Sequence, residues 1–203
     1  MQDQEHVGES RRRDQILDAA GEVFGQYGLR KTTMGDIVRA AGVARATVYR
    51  YFGSKDEVFV RVLEREMGDI IEAVRAAVAE ESTTRKRLRA AIMTHSEMIR
   101  RKINVFRVTM RALADIMGTH RESHLEKIAG DFQGIVASIL ESGIEAGEIA
   151  VDDVELTSRT ILYALKGVFM GAAWDVWDEQ RPVVVDRLIE LLMDGMATGE
   201  ERA

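Results

Sequence analysis

Five polar side chains in the stretch from Arg45 to Tyr51 have the types and spacing that contacts with nucleic acid require. They alternate with apolar residues of a helical pattern, and they are Arg45, Thr47, Tyr49, Arg50 and Tyr51. A helix of this kind can pack on a core with one side and contact nucleic acid with the other. Arginine can donate two parallel hydrogen bonds to guanine O6 and N7, and threonine can contact a base edge or a thymine methyl group. An ordinary solvated helix face is the alternative interpretation.

The residues around this stretch predict the elements that position it. Gly42 provides a turn residue that tolerates a positive φ, and it follows an apolar helical face made of Ile37, Val38 and Ala41. A helix over Ala44–Tyr51 then carries the polar residues. Capping boxes flank the two short helices, and they are Thr33 with Asp36 and Ser54 with Glu57. The segment Thr33–Glu57 is therefore predicted to be a helix-turn-helix followed by the start of another helix.

Patterns typical of catalytic and metal sites are missing from the sequence. The chain has no cysteine, which excludes disulfides, thiolate chemistry and cysteine-ligated zinc. His120 and His124 share a helix face, but Arg121 stands where an HExxH motif needs glutamate. No Ser/His/Asp signature or phosphate-binding GxxxxGK[ST] loop is present either. The sequence therefore predicts neither an enzyme nor a metal or cofactor, and two exposed histidines at a helix start are the favoured interpretation.

Charge is distributed unevenly along the 203 residues, whose net charge is −6. The segment from Glu9 to Lys55 contains nine basic and five acidic residues, so its charge is +4 and the remainder carries −10. The basic excess thus coincides with the predicted helix-turn-helix, as nucleic-acid binding requires. Arg11, Arg12 and Arg13 form either an arm that follows the DNA backbone or minor groove, or a disordered and solvated segment.

The apolar fraction of 46% is sufficient for a buried core. No run of about 18 apolar residues indicates a membrane span, and the segment MQDQEHVGESRRR lacks the apolar stretch of a secretory signal. We therefore expect a cytoplasmic protein.

Helical periodicity extends along the whole chain, which has a single proline, Pro182. The predicted fold class is all-α, with about nine helices. The first begins near Ser10 and stops at Gly28, two form the helix-turn-helix, and a fourth ends near Glu80. The other five are predicted at Thr84–Arg101, Asn104–Met117, Arg121–Ala146, Asp153–Asp178 and Pro182–Met196.

The segment RRDQILDAAGEVFGQYGLRKTTMGDIVRAAGVARATVYRYFGSKDEVF resembles the N-terminal domain of the tetracycline-repressor (TetR) family. The likeness covers about the first 65 residues and includes the T-x-x-D-I-x-x-x-A-G-V turn and the T-V-Y-x-Y-F recognition helix. It implies a homodimeric, all-helical transcriptional regulator. A DNA-binding domain over residues 1–55 would precede an effector-binding and dimerisation domain over residues 56–203.

The resemblance also implies roles for individual residues. It places Tyr49 at a phosphate-contacting position with Tyr51 nearby. Lys55 and Thr33 lie at helix starts, where free backbone N–H groups help to hold a phosphate. The whole predicted DNA-binding set is Thr33, Ala44, Arg45, Thr47, Tyr49, Arg50, Tyr51 and Lys55.

Two further sets of residues are assigned to the second domain. Effector contacts are predicted for Met98, Phe106, Met110, Phe132 and Trp174, with Thr94, His95, Arg107 and Thr109 as possible polar anchors. For each of them, plain core packing is the alternative. In the family the last two helices form a four-helix dimer interface, which implies a set of Ala164, Gly167, Gly171, Leu188, Leu191 and Leu192. Packing within one chain is the alternative for this set.

The hypothesis that follows is a repressor that a small-molecule effector releases from a palindromic DNA operator. Two rivals remain open. A ligand-independent or activating DNA-binding protein would share every motif of the first 65 residues. An all-α enzyme with a similar start would lack a recognisable catalytic signature.

Overall fold

The computed structural model describes residues 2–101, 121–171 and 174–196, and their side chains over 8–101, 130–165 and 180–196. Within these ranges the chain forms helices and no strands, which confirms the predicted all-α class. The helices are α1 (Gln2–Tyr27), α2 (Met34–Ala41), α3 (Arg45–Tyr51), α4 (Lys55–Ala79), α5 (Thr84–Arg101), α6 (Arg121–Glu145), α7 (Val154–Gly171) and α8 (Trp174–Met196). The helix predicted at Asn104–Met117 lies outside the described residues. None of the described helices has the length and apolarity needed to cross a bilayer.

The chain divides into two compact units. Of the described residues, the first contains 2–68, Arg101 and 121–125, and the second contains Asp69–Arg100, 126–171 and 174–196. Helix α4 contributes residues to both units, so the proposed domain boundary at residue 55 remains a prediction.

An apolar core holds α1, α2, α3 and the start of α4 together in the first unit. Phe24 of α1 and Phe59 of α4 meet edge to face, with ring centroids 5.1 Å apart. Helix α3 contributes Val48, which is 0% exposed, and Phe52 follows it at 1%. The core therefore anchors the short helix that carries the predicted DNA-binding residues.

Local hydrogen bonds begin and end the helices of this unit. The predicted capping box of α2 is present, since Thr33 Oγ1 accepts from the Asp36 N–H and the Asp36 carboxylate accepts from the Thr33 N–H. Gly42 ends α2 with φ of 64°, in the left-handed region. At α4, the Glu57 N–H donates to Ser54 Oγ, whereas the Glu57 carboxylate accepts from Gly53 and not from Ser54. The second predicted box is thus shifted by one residue on its carboxylate side.

Lys55 ties the first turn of α4 to the loop between α1 and α2. Its Nζ donates to the carbonyl oxygens of Leu29 at 2.9 Å and Thr32 at 3.1 Å. Thr32 is buried, and its own hydroxyl donates to the Gly28 carbonyl at 2.8 Å. An ammonium group shared by two partly buried carbonyls fixes the loop that leads into α2.

Ion pairs connect distant parts of the second unit. Buried Arg181 of α8 donates to Glu97 of α5, which also accepts from Arg100 at 3.0 Å. Arg89 and Asp186 form a two-pronged pair that joins the same two helices. The hydrogen bond from Arg89 holds the pKa of Asp186 below its ordinary value.

His95 of α5 is half-buried in the second unit, with its ring against the core. Its ring packs on buried Phe132 of α6, with ring centroids 4.2 Å apart. Burial lowers the pKa of the His95 imidazole to about 4, from an ordinary value of 6.5. The imidazole is therefore neutral at pH 7.

The structure corrects the start of the first helix. Helix α1 begins at Gln2 and not near Ser10, so Arg11, Arg12 and Arg13 belong to a helix and form neither an arm nor a disordered segment. Ser10 is a good capping residue in isolation, but the glutamine and glutamate residues before it also favour helix.

The last predicted break was also wrong. The segment expected as a helix at Asp153–Asp178 contains α7 (Val154–Gly171) and the start of α8, and α8 continues through Glu179–Arg181 with Pro182 inside it. A proline removes one backbone hydrogen bond from a helix and costs about 3 kcal/mol. On either side of it, the Arg181–Glu97 pair and the burial of Val185 and Ile189 hold the helix in place.

We expect Lys55→Met to lower the free energy of unfolding by about 1–3 kcal/mol, because two partly buried carbonyls lose a charged donor. Urea unfolding measures this loss. Lys31→Met is the matched control, since Lys31 is an exposed lysine in the loop between α1 and α2 to which Lys55 is hydrogen-bonded. Equal stability of the two variants would contradict the claim that the two Lys55 hydrogen bonds stabilise the fold.

The low pKa of His95 predicts a pH-dependent stability. Between pH 6.5 and about 4 the unfolded chain binds a proton at His95 that the folded chain does not, so stability falls as pH falls. From pH 7 to pH 5, wild type should lose on the order of 2 kcal/mol more than His95→Gln. Parallel urea titrations of the two proteins at both pH values test this. Identical losses would show that His95 titrates normally.

Candidate functional site

Helix α3 presents a polar surface on the first unit. Of its seven residues only Val48 is buried, while Arg45, Tyr49 and Arg50 are exposed and Thr47 is half-buried. Ala44 is the N-cap residue and makes no side-chain capping bond. The structure therefore brings five predicted DNA-binding residues together on one short element.

Each exposed arginine of α3 is paired with a tyrosine. Arg45 donates to Tyr49 Oη at 3.3 Å, and its guanidinium carbon lies 5.2 Å from the ring centroid. Arg50 donates to Tyr51 Oη at 3.0 Å, with a corresponding separation of 4.9 Å. Tyr51 is half-buried and packs on the core of this unit. Phenols orient these guanidinium groups and leave their charge in place.

Thr33 and Lys55 already have partners within the protein. Both the N–H and the hydroxyl of Thr33 donate to Asp36, at 3.0 and 2.7 Å. These hydrogen bonds, the stronger from the hydroxyl, lower the pKa of Asp36. Lys55 Nζ uses two donors on carbonyls. A phosphate contact is therefore available to the third Lys55 donor, whereas Thr33 would have to release Asp36. Both roles remain predictions.

A cleft next to α3 contains two arginines, Arg61 and Arg65, that the sequence prediction missed. It has a volume of about 650 Å³ between α1, the end of α3 and α4, and Arg13, Arg50, Arg61 and Arg65 line it together with carboxylates. Arg65 pairs with Asp18 at 2.8 Å and Arg61 with Glu64 at the same distance. The sequence signal for these two arginines is their spacing by one helical turn, and they lie beyond the basic segment Glu9–Lys55.

Two of the predicted effector residues lie in the described interior of the second unit. Phe132 is buried against His95, and Met98 is half-buried on α5. Phe106 and Met110 lie outside the described residues, and Trp174 begins α8 with its side chain undescribed. His120 and the side chain of His124 also lie outside the description.

The predicted dimer residues differ in exposure. Leu191 is 59% exposed, whereas Leu188, Leu192 and Ala164 are half-buried. Gly167 and Gly171 belong to the part of α7 without described side chains. Among the side chains of α7 and α8 that the structure describes, Leu156, Tyr163 and Val183 are also large, apolar and exposed.

Two family profiles match the chain. The one described as bacterial regulatory proteins of the tetR family matches residues 16–62, and the tetracyclin repressor-like C-terminal domain matches residues 81–170. Together they span more than half of the 203 residues. The first match contains the complete α2–turn–α3 segment.

Relatives resemble the chain along nearly its full length. The transcriptional repressor KstR2 of Rhodococcus jostii (strain RHA1) is 28% identical over 199 residues, or 94% of each protein. The fatty acid metabolism regulator protein of Bacillus subtilis (strain 168) is 29% identical over 90% of this chain and 94% of its own.

A solved structure gives the same result for the fold. The transcriptional regulator FadR from Bacillus subtilis, crystallised in complex with stearoyl-CoA, matches with a TM-score of 0.74 and 27% identity. The match covers 90% of this chain and 98% of FadR. All of these proteins are regulators, which favours a regulator over the enzyme alternative. The chain belongs to the tetracycline-repressor family and is a DNA-binding helix-turn-helix regulator of transcription.

Proposed function

We propose that the protein is a cytoplasmic repressor that binds a palindromic operator as a homodimer and is released by a fatty acyl-CoA thioester. The observation that carries the choice of effector is the likeness to FadR over 90% of the chain, because FadR was crystallised with stearoyl-CoA. In this proposal residues 1–55 contact DNA, and residues 56–203 bind the effector and the second subunit.

Helix α3 enters the major groove of the operator. Arg45 and Thr47 contact base edges, while Tyr49, Lys55 and Thr33 contact phosphates. Symmetric pairing of two subunits requires half-sites about 34–36 Å apart or a multiple of this distance. Because phosphate contacts release counterions, operator binding should weaken steeply with salt.

The composition of α5 suits an acyl-CoA. This effector combines a long apolar chain with a head group that carries several phosphates. Helix α5 contains six arginine and lysine residues but one carboxylate, Glu97. It also carries half-buried Met98 and the neutral His95, which packs on Phe132. Guanidinium groups bind phosphates through paired hydrogen bonds, and apolar side chains accommodate the acyl chain.

Exposed apolar side chains on α7 and α8 support the dimer. Leu191 and Tyr163 are 59% and 61% exposed in one chain. A second subunit that covered these side chains would remove their apolar surface from water.

The effector releases DNA only if it binds the two conformations of the repressor differently. The factor by which it lowers operator affinity is therefore limited by the ratio of its affinities for the two conformations, one that fits the operator and one that does not.

Binding-site selection followed by mobility-shift assays tests the proposal. Purified protein selects an operator from random duplex DNA, and the assay then contains stearoyl-CoA, coenzyme A or stearate. We expect a palindrome whose affinity falls about 5- to 150-fold with stearoyl-CoA. Coenzyme A or stearate alone should have much smaller effects, since each supplies one part of the ligand.

Control measurements separate the components of the proposal. Arg45→Ala should lose about 1–3 kcal/mol of discrimination at one base pair. Intact operator binding by both Thr47→Ala and Tyr49→Ala would disprove the recognition helix, and a monomer in sedimentation at micromolar concentration would disprove the dimer. Operator binding that ignores stearoyl-CoA would favour the ligand-independent or activating regulator.

A further inference from the structure

Arg45 and Tyr49 touch each other in two ways on the exposed face of α3. The guanidinium donates to the phenol oxygen at 3.3 Å, and its central carbon lies 5.2 Å from the centroid of the ring. The residues are four positions apart, so successive helical turns bring them together. No carboxylate pairs with Arg45 in the part of the chain that the structure describes.

An exposed arginine loses conformational freedom when it binds a base. Recognition of guanine by two parallel hydrogen bonds needs the guanidinium plane in one orientation, whereas a free arginine side chain samples many rotamers. Any contact that restricts these rotamers before DNA binds reduces the loss. A carboxylate would also restrict them, but it would neutralise the charge and repel phosphates.

The backbone beneath this pair is well anchored. Val48, next to Tyr49, is 0% exposed in the core, and Phe52 follows at 1%. The phenol is itself held by a helix that packing fixes, so it can serve as a support for the more flexible arginine.

We propose that Tyr49 is a positioning residue for Arg45, and that it contributes to base discrimination without touching a base. The inference rests on the proposed DNA-binding role of α3. One guanidinium N–H is used on the phenol oxygen, and four remain for guanine. The phenol still has its own O–H, which can donate to a backbone phosphate. One tyrosine thus links the phosphate contact to the base-reading arginine.

Arg50 and Tyr51 provide a matched comparison on the same helix. Their hydrogen bond is 3.0 Å long and their cation–ring separation is 4.9 Å. Tyr51→Phe therefore removes one arginine–phenol hydrogen bond and leaves the Arg45–Tyr49 pair intact. Tyr49→Phe removes the other hydrogen bond but keeps the ring, and Tyr49→Leu removes both contacts. Tyr49 is 41% exposed, so these substitutions should preserve the fold, which thermal unfolding checks.

The test measures affinities for the selected operator and for its single-base-pair variants. Arg45→Ala first identifies the base pair that Arg45 reads. At that pair, Tyr49→Phe should reduce discrimination about threefold to tenfold and Tyr49→Leu still more. Tyr51→Phe, at a residue of the same DNA-binding set, should change the affinities for the operator and its variants by one common factor and leave the discrimination at that pair as it is. In a double-mutant cycle, the loss of operator affinity caused by Tyr49→Phe should be smaller when Arg45 is already alanine.

A phosphate-only role of Tyr49 would give the opposite pattern. Tyr49→Phe would then weaken the operator and all its variants by one common factor, and by the same factor in the Arg45→Ala background. That result overturns the inference while the proposed function stands. Unchanged discrimination in Arg45→Ala itself would overturn the inference together with the proposed base contact of Arg45, because Arg45 would then read no base.

Discussion

Burial of Val48 and Phe52 is the constraint on which the DNA-binding surface depends. Helix α3 has seven residues, whereas an isolated helix needs roughly 12–15 to be even marginally stable in water. It forms because these two side chains are held in the core of the first unit, at 0% and 1% exposure. The same packing determines which side chains face outward. Arg45 and Tyr49 are thus presented by the core and not by helix propensity.

Hydrogen bonds and ion pairs in the first unit fix the helix starts and side-chain orientations that core packing leaves free. The Thr33–Asp36 capping box and the Lys55 tie to the Leu29 and Thr32 carbonyls fix the start of α2. On α3 the arginines are held by phenols, which orient a cation and preserve the positive potential that attracts phosphates. In the adjacent cleft Arg61 pairs with Glu64, which also lines it, and Arg65 pairs with Asp18 of α1. In the first unit, the arginines of α4 beside the recognition helix are therefore paired with carboxylates, whereas Arg45 and Arg50 on the recognition helix are oriented by phenols.

In the second unit, helix packing depends on an ion pair between two helices. In it, half-buried Glu97 pairs with buried Arg181. Such a pair contributes little net stability, but removal of one partner leaves a buried charge and is strongly destabilising. The pair therefore holds α8 against α5 at the residue before Pro182, where the helix lacks a backbone hydrogen bond. Neutral His95 adds a hydrogen-bonding group to this unit without adding charge at pH 7.

The sequence by itself determined the elements whose causes are local. Helical periodicity, Gly42 in its positive-φ turn and the Thr33–Asp36 capping box predicted α2, the turn and α3 to within a residue. These signals all lie within a few residues of the structure they produce. Only the tertiary structure decided where the Lys55 ammonium lies, since its partners are 23 and 26 residues away. It also decided that α8 passes through Pro182. These outcomes depend on the contacts that the folded chain makes and on the rotamers that those contacts select, neither of which is contained in a local residue pattern.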